Sequence, residues 1–152
     1  MTDPIDAREI SGCTCLRVRH VARQLTQSYD QALAPLGLTL NQFGLLATLH
    51  GVTQASLAGL PIGVFADRVG MHPTTLNRDL KPLKAQNLVA DAVEAGDRRV
   101  RAVILTSKGQ ARLHKAVPLW RRAQRRLEGA LGAEATRALN DLLELASVKL
   151  RS

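Results

Sequence analysis

The stretch from 62 to 105 constrains what this chain can fold into more than any other. Ile62, Phe65, Ala66 and Val69 recur at helical spacing and stop at Gly70, a residue suited to the left-handed backbone that ends helices. Pro73 follows, where a first helical turn tolerates a missing N–H. Leu76, Leu80 and Leu83 then mark the buried stripe of a second helix running to about Gln86. Pro82 lies inside that helix and removes the bond to the Arg78 carbonyl, which predicts a kink or an altered last turn. Residues 88–92 and 100–105 read as two short strands around the turn signal Ala95-Gly96-Asp97. Two short helices, a glycine turn and a hairpin, in that order, make a winged helix-turn-helix.

The rest of the chain reads as helices packed around this unit. Val18, Val21, Ala22, Leu25, Tyr29, Ala32, Leu33 and Leu36 place an amphipathic helix over 13–36, ended by Pro35 and Gly37. Thr39 reads as the N-cap of a helix to about His50, with Phe43, Leu46, Ala47 and His50 on one face. Residues 51–61 read as a loop, and residues 1–11 as a frayed arm. Thr106 caps a long helix to about Gly129, interrupted at Pro118; a last helix over 133–150 turns Leu139, Leu142, Leu143, Ala146 and Leu150 inward. With 45% hydrophobic but only 3% aromatic residues, the apolar bulk is Leu, Ala and Val, which favours helix-on-helix packing. The expected fold is mainly α with a small β-hairpin wing, in one domain spanning 1–152.

The net charge of +8 points to a polyanionic partner, nucleic acid or anionic lipid. No apolar run approaches the ~20 residues needed to span a bilayer. The polar N-terminus MTDPIDAREISG is no secretory signal, so a cytoplasmic location is expected. On the second short helix, Thr74, Thr75, Asn77, Arg78 and Lys81 lie opposite the leucine stripe. Arginine can pair with guanine, asparagine with adenine, and threonine with a thymine methyl or a phosphate. The hairpin adds Asp97, Arg98, Arg99 and Arg101. An arginine on a thin projection can enter a narrow, strongly negative minor groove, and Asp97 could hold Arg99 by a charge-assisted bond. These residues are the candidate duplex-DNA contacts.

The order of elements, with GLTLNQFGLLATL (37–49), FADRVGMHPTTLNRDLKPLKAQNLV (65–89) and GDRRVRAVILTSKGQ (96–110), resembles the multiple-antibiotic-resistance regulator (MarR) family over nearly the whole chain. The wing pattern Asp-x-Arg followed by Leu-Thr-x-x-Gly carries the resemblance most specifically. It implies a dimeric transcription regulator, with Arg99 as the minor-groove arginine and Asp97 as its positioning partner. Thr74, Thr75, Asn77 and Arg78 match recognition-helix contacts. Two-fold dimerisation would use the helices at about 13–36 and 107–150, flanking a DNA-binding lobe at about 39–105. The implied partners are a pseudo-palindromic operator, a second copy of the chain and a small aromatic or phenolic effector.

Other residues carry expectations of their own. Cys13 and Cys15 lie too close in sequence to staple a fold. At a helix start they are candidate redox thiols, or else small residues packed at the dimer interface. Zinc is the remaining reading, with His20 and His114 as added ligands, although four N/S ligands would be wanted. His20, Phe43, His50 and Trp120 are the candidate effector-cleft residues, with ordinary core and surface roles as the alternative. RRAQRR (121–126) reads as a solvated helical face lying away from the wing and is not counted as a DNA contact. No P-loop, Rossmann fingerprint, HExxH or GxSxG occurs, so neither an enzyme nor a cofactor or metal site is expected. The function expected is a sequence-specific repressor relieved by a small molecule or by thiol oxidation. The alternative is a basic architectural protein that coats DNA through phosphate contacts. The outward Asn77-Arg78 pair favours the former.

Overall fold

The computed structural model describes residues 4–53, 58–92 and 101–151. Helices α1 (Ala7–Ser11), α2 (Thr14–Leu33) and α3 (Leu40–Thr53) are followed by strand β1 (Leu60–Pro61), then α4 (Ile62–Val69) and α5 (Pro73–Ala85). Strands β2 (Val89–Asp91) and β3 (Ala102–Leu105) lead into α6 (Ser107–Leu131) and α7 (Ala133–Lys149). The strands form one antiparallel sheet in the order β1-β3-β2. Among the described residues no single helix is long and apolar enough to cross a membrane.

Local chemistry sets most boundaries. Thr39 and Gln42 form a reciprocal capping box: Thr39 Oγ1 accepts from the Gln42 N–H at 3.2 Å, and Gln42 Oε1 accepts from the Thr39 N–H at 3.1 Å. A short 3-10 turn, Ala34–Leu36, precedes it, and the chain axis bends by 73° into α3. Phe65, Leu76, Leu80, Leu83, Val103 and Leu46 centre the core, each fully buried. Leu113 and Ala116 bind the first half of α6 to it.

Several expectations are corrected. Residues 7–11 are a single helical turn capped by the Asp6 side chain, which accepts from the Arg8 N–H at 2.8 Å, rather than a frayed arm. The 51–61 segment is not all loop: α3 runs on to Thr53, and Leu60 and Pro61 pair with Val103 and Ala102. Buried positions on α3 are Phe43, Leu45, Leu46 and Leu49, whereas Ala47 is exposed, because the helix is enclosed by α2, α5, α6 and β3.

Pro118 does not interrupt α6. Both Pro118 and His114, whose carbonyl cannot receive an N–H from the proline, lie on the exposed side, where water can serve that acceptor. Pro82 and Arg78 stand in the same relation on α5, three residues before that helix ends. On α7 the expected inward stripe is largely open: Leu142 is 64% and Leu150 81% exposed, and only Thr136 is buried. Leu139 and Leu143 line, with Val18, Val21 and Leu25 of α2, an apolar groove of about 310 Å³.

Candidate nucleic-acid interface

The helix-turn-helix is held by its turn and its caps. Gly70 takes φ 67°, a left-handed conformation that glycine adopts without strain, and its N–H reaches back to α4 carbonyls. His72 then caps α5, its Nδ1 accepting from the Thr74 N–H at 3.3 Å, with Pro73 in the first turn. At the far end Asn87 is left-handed at φ 57°. Its N–H bonds the Lys84 carbonyl and that of Leu88 the Leu83 carbonyl, a Schellman closure. Sequence reading missed His72 as a cap; a side chain able to accept a hydrogen bond, directly before a proline at the first helical position, was the available signal.

With Leu76, Leu80 and Leu83 fully buried, the opposite side of α5 is fixed. Thr74, Arg78 and Lys81 are exposed and, at steps of four and three, form one stripe along the helix. Thr75 and Asn77 are half-buried on its shoulders. Arg78 lies 3.5 Å from Asp79, yet its side chain is 75% exposed, so the pair restrains it little. Lys84, at the end of α5, pairs with Asp91 of β2 at 2.7 Å and ties this helix to the hairpin. That contact crosses two elements and has no local sequence signal.

The hairpin base is as tightly built. Thr106 Oγ1 accepts from the Gly109 N–H at 3.0 Å and faces the Asn87 and Leu88 carbonyls at 2.6 and 3.0 Å. Gly109 is buried against the Leu88 carbonyl, where no side chain fits. The Leu-Thr-x-x-Gly pattern is therefore the joint between sheet and α6. Arg101 is exposed just before β3, and its carbonyl accepts from the Ile62 N–H at 3.0 Å. Asp97, Arg98 and Arg99 lie outside the described residues.

The other candidates divide. Phe43 and Trp120 stack with ring centroids 5.9 Å apart, and His50 meets His114 edge-on at 5.9 Å, so Phe43, His50 and Trp120 line one seam between α3 and α6. His20 sits on an exposed stretch of α2. Cys13 and Cys15 are exposed free thiols at the start of α2. Among the described residues no group of three or more His, Cys, Asp or Glu is placed to hold a metal.

No protein-family model and no curated protein matches the sequence. Solved structures do. The Mycobacterium tuberculosis transcriptional regulator MosR in complex with DNA is 38% identical, with 91% of this chain and 99% of that one covered and a TM-score of 0.73. The transcriptional repressor CouR bound to a 23-mer DNA duplex, a regulator from Rhodococcus jostii RHA1, is 25% identical, covering 95% and 99%, with a TM-score of 0.79. A mutant MarR from E. coli complexed with operator DNA is 20% identical, covering 93% and 99%; its TM-score of 0.80 speaks for the fold alone.

Proposed function

The chain belongs to the MarR family of winged-helix transcriptional regulators, and from that premise we propose that it is a homodimeric repressor that binds a pseudo-palindromic operator in the cytoplasm. The observation that carries this reading is α5. Its apolar stripe is fully buried, and Thr74, Arg78 and Lys81 are exposed on the opposite side, on a helix that Lys84 ties to β2. An anchored helix presenting threonine, arginine and lysine is suited to a major groove, with Arg78 on a guanine edge and Thr75 and Asn77 on flanking bases or phosphates. Asp97, Arg98, Arg99 and Arg101 would carry the wing's minor-groove contact.

Dimerisation is supported by the uncovered apolar faces of α2 and α7. Val18, Val21, Leu142, Leu143 and Val148 are all more than 40% exposed, and burying such a side chain fully is worth about 1.5–3 kcal/mol. The helices at 13–36 and 107–150 would thus pair two lobes of 39–105. Regulation would come from an aromatic or phenolic effector at the α3–α6 seam beside Phe43, His50 and Trp120, or from oxidation of Cys13 and Cys15 next to the pairing face. Either would change the spacing of the two α5 helices. CouR has also been solved bound to p-coumaroyl-CoA.

The test is competition binding of a genomically selected fragment against random duplex. A regulator of this kind prefers its site by roughly 10³-fold or more; parity between the two DNAs would refute sequence-specific binding.

A further inference from the structure

Most of the chain's positive charge is not on the DNA-reading helix. Against a net charge of +8, α6 alone carries seven basic residues and one acidic residue, Glu128, whereas α5 carries Arg78, Lys81 and Lys84 against Asp79. Arg121, Arg122, Arg125 and Arg126 are all exposed within six consecutive positions. Spacings of three and four residues set them beside one another on successive turns, where like charges destabilise their own helix. Among the described residues neither ion pair involves them, and Glu128 is held by Gln124 Nε2 at 3.0 Å. Arg112, earlier on the same helix, contrasts with them: it is half-buried and donates to the Leu36 carbonyl at 2.8 Å.

The four arginines also lie apart from the reading surface. Leu113 and Ala116 embed the first half of α6 in the core, and Trp120 marks its edge. The run follows beyond it, roughly 20–30 Å along the axis from the start of the helix at about 1.5 Å per residue. β3 ends at Leu105 and α6 begins at Ser107, so the run stands in the half of α6 remote from the sheet.

We propose that this arginine face is a second, sequence-independent phosphate-binding surface that takes a DNA duplex other than the operator, so that a bound dimer bridges two DNA segments. The inference rests on the DNA-binding reading above. Guanidinium groups suit phosphate because they bind it bidentately and stay charged at every working pH. Arginines one turn apart, about 6 Å along the helix, can engage one strand whose phosphates recur every ~3.4 Å along the duplex axis.

The experiment holds the full-length protein on an immobilised operator fragment and offers a fluorescent random-sequence duplex between about 50 and 200 mM salt. Affinity for the isolated operator duplex and the sedimentation coefficient are measured in parallel, so a failure of operator recognition shows separately. Wild type is expected to retain the second duplex with a steep salt dependence. Arg121→Gln/Arg122→Gln/Arg125→Gln/Arg126→Gln should cut retention at least about tenfold and flatten the slope of log K against log salt by roughly 3–4 units, leaving operator affinity and dimer mass unchanged. The milder Arg122→Gln/Arg126→Gln, with less risk to folding, should lose roughly half that slope. No retention by wild type, or equal retention by the variants, overturns the proposal. So does a parallel loss of operator affinity, which would assign the arginines to the first duplex, or dissociation to monomer, which would assign them to the second copy of the chain.

Discussion

Replacing Gly109 by alanine sets two effects on α6 against each other. Helix propensity favours alanine over glycine by about 0.8–1.0 kcal/mol. The local geometry opposes it: a Cβ at Gly109 would stand 1.9 Å from the Leu88 carbonyl oxygen and 2.7 Å from Leu105 Cδ1. Carbon approaches a carbonyl oxygen to about 3.3 Å, so the first turn of α6 would have to retreat from β2 by more than an ångström. That retreat stretches the bond from the Thr106 N–H to the Leu88 carbonyl, 3.2 Å long, and pulls Thr106 Oγ1 from its 3.0 Å contact with the same oxygen. Two hydrogen bonds at about 0.5–1.5 kcal/mol each and about 1–3 kcal/mol of overpacking outweigh the propensity gain. Gly109→Ala should destabilise by about 2–4 kcal/mol, lowering Tm by roughly 5–15 °C for a chain of this size. Gly129 supplies the control on the same helix, since nothing lies within 4 Å of its Cβ position; Gly129→Ala should stabilise by about 0.5–1 kcal/mol. Urea titration followed by circular dichroism at fixed protomer concentration measures both. A Gly109→Ala protein as stable as wild type would refute the claim that this glycine is required by close packing.

Arg78→Ala should cost about 1–3 kcal/mol on a good site and relax preference at one position of each half-site; an unchanged preference profile in a selection experiment would leave Arg78 with a phosphate contact at most. Arg99→Ala should weaken binding to all DNA, more on A·T-rich flanks, and lower the salt slope by roughly one unit; wild-type affinity and slope would remove the wing from the interface. Cys13→Ser/Cys15→Ser should abolish any change in operator affinity on peroxide treatment, and a response equal to wild type would exclude thiol sensing. Burial, helped by the charge of Glu128, raises the Tyr29 phenol above its ordinary value near 10, and its hydroxyl donates to Gln124 Oε1 at 2.5 Å. A raised folded pKa gives stability that is complete below the unfolded value and lost as pH rises through the folded one. Wild-type stability should therefore fall more steeply than that of Tyr29→Phe above about pH 10, and parallel pH profiles would show that the phenol does not drive the loss.

The winged unit was readable because its signals are local. Gly70 as a left-handed stop, Thr39 and Thr106 as caps, Pro73 at a helix start and the stripe Leu76, Leu80, Leu83 act through residues within a turn or two of each other. Those interactions exist in any chain carrying the pattern. The outward positions Thr74, Arg78 and Lys81 follow from the same periodicity and lie on one exposed stripe, with Thr75 and Asn77 half-buried beside it.

What the tertiary structure decided are the contacts between distant segments. Leu60–Pro61 becomes a strand because β3 offers it an edge, although nothing within 51–61 demands it. Lys84 meets Asp91, and Phe43 meets Trp120, across element boundaries that no spacing rule crosses. Pro118 is tolerated because its side of α6 faces solvent, a fact about packing and not about proline. Periodicity correctly made α7 amphipathic but turned its stripe inward. Amphipathicity states only that a face will be covered; which surface covers it depends on the whole assembly, and the single chain leaves Leu142 and Leu150 open.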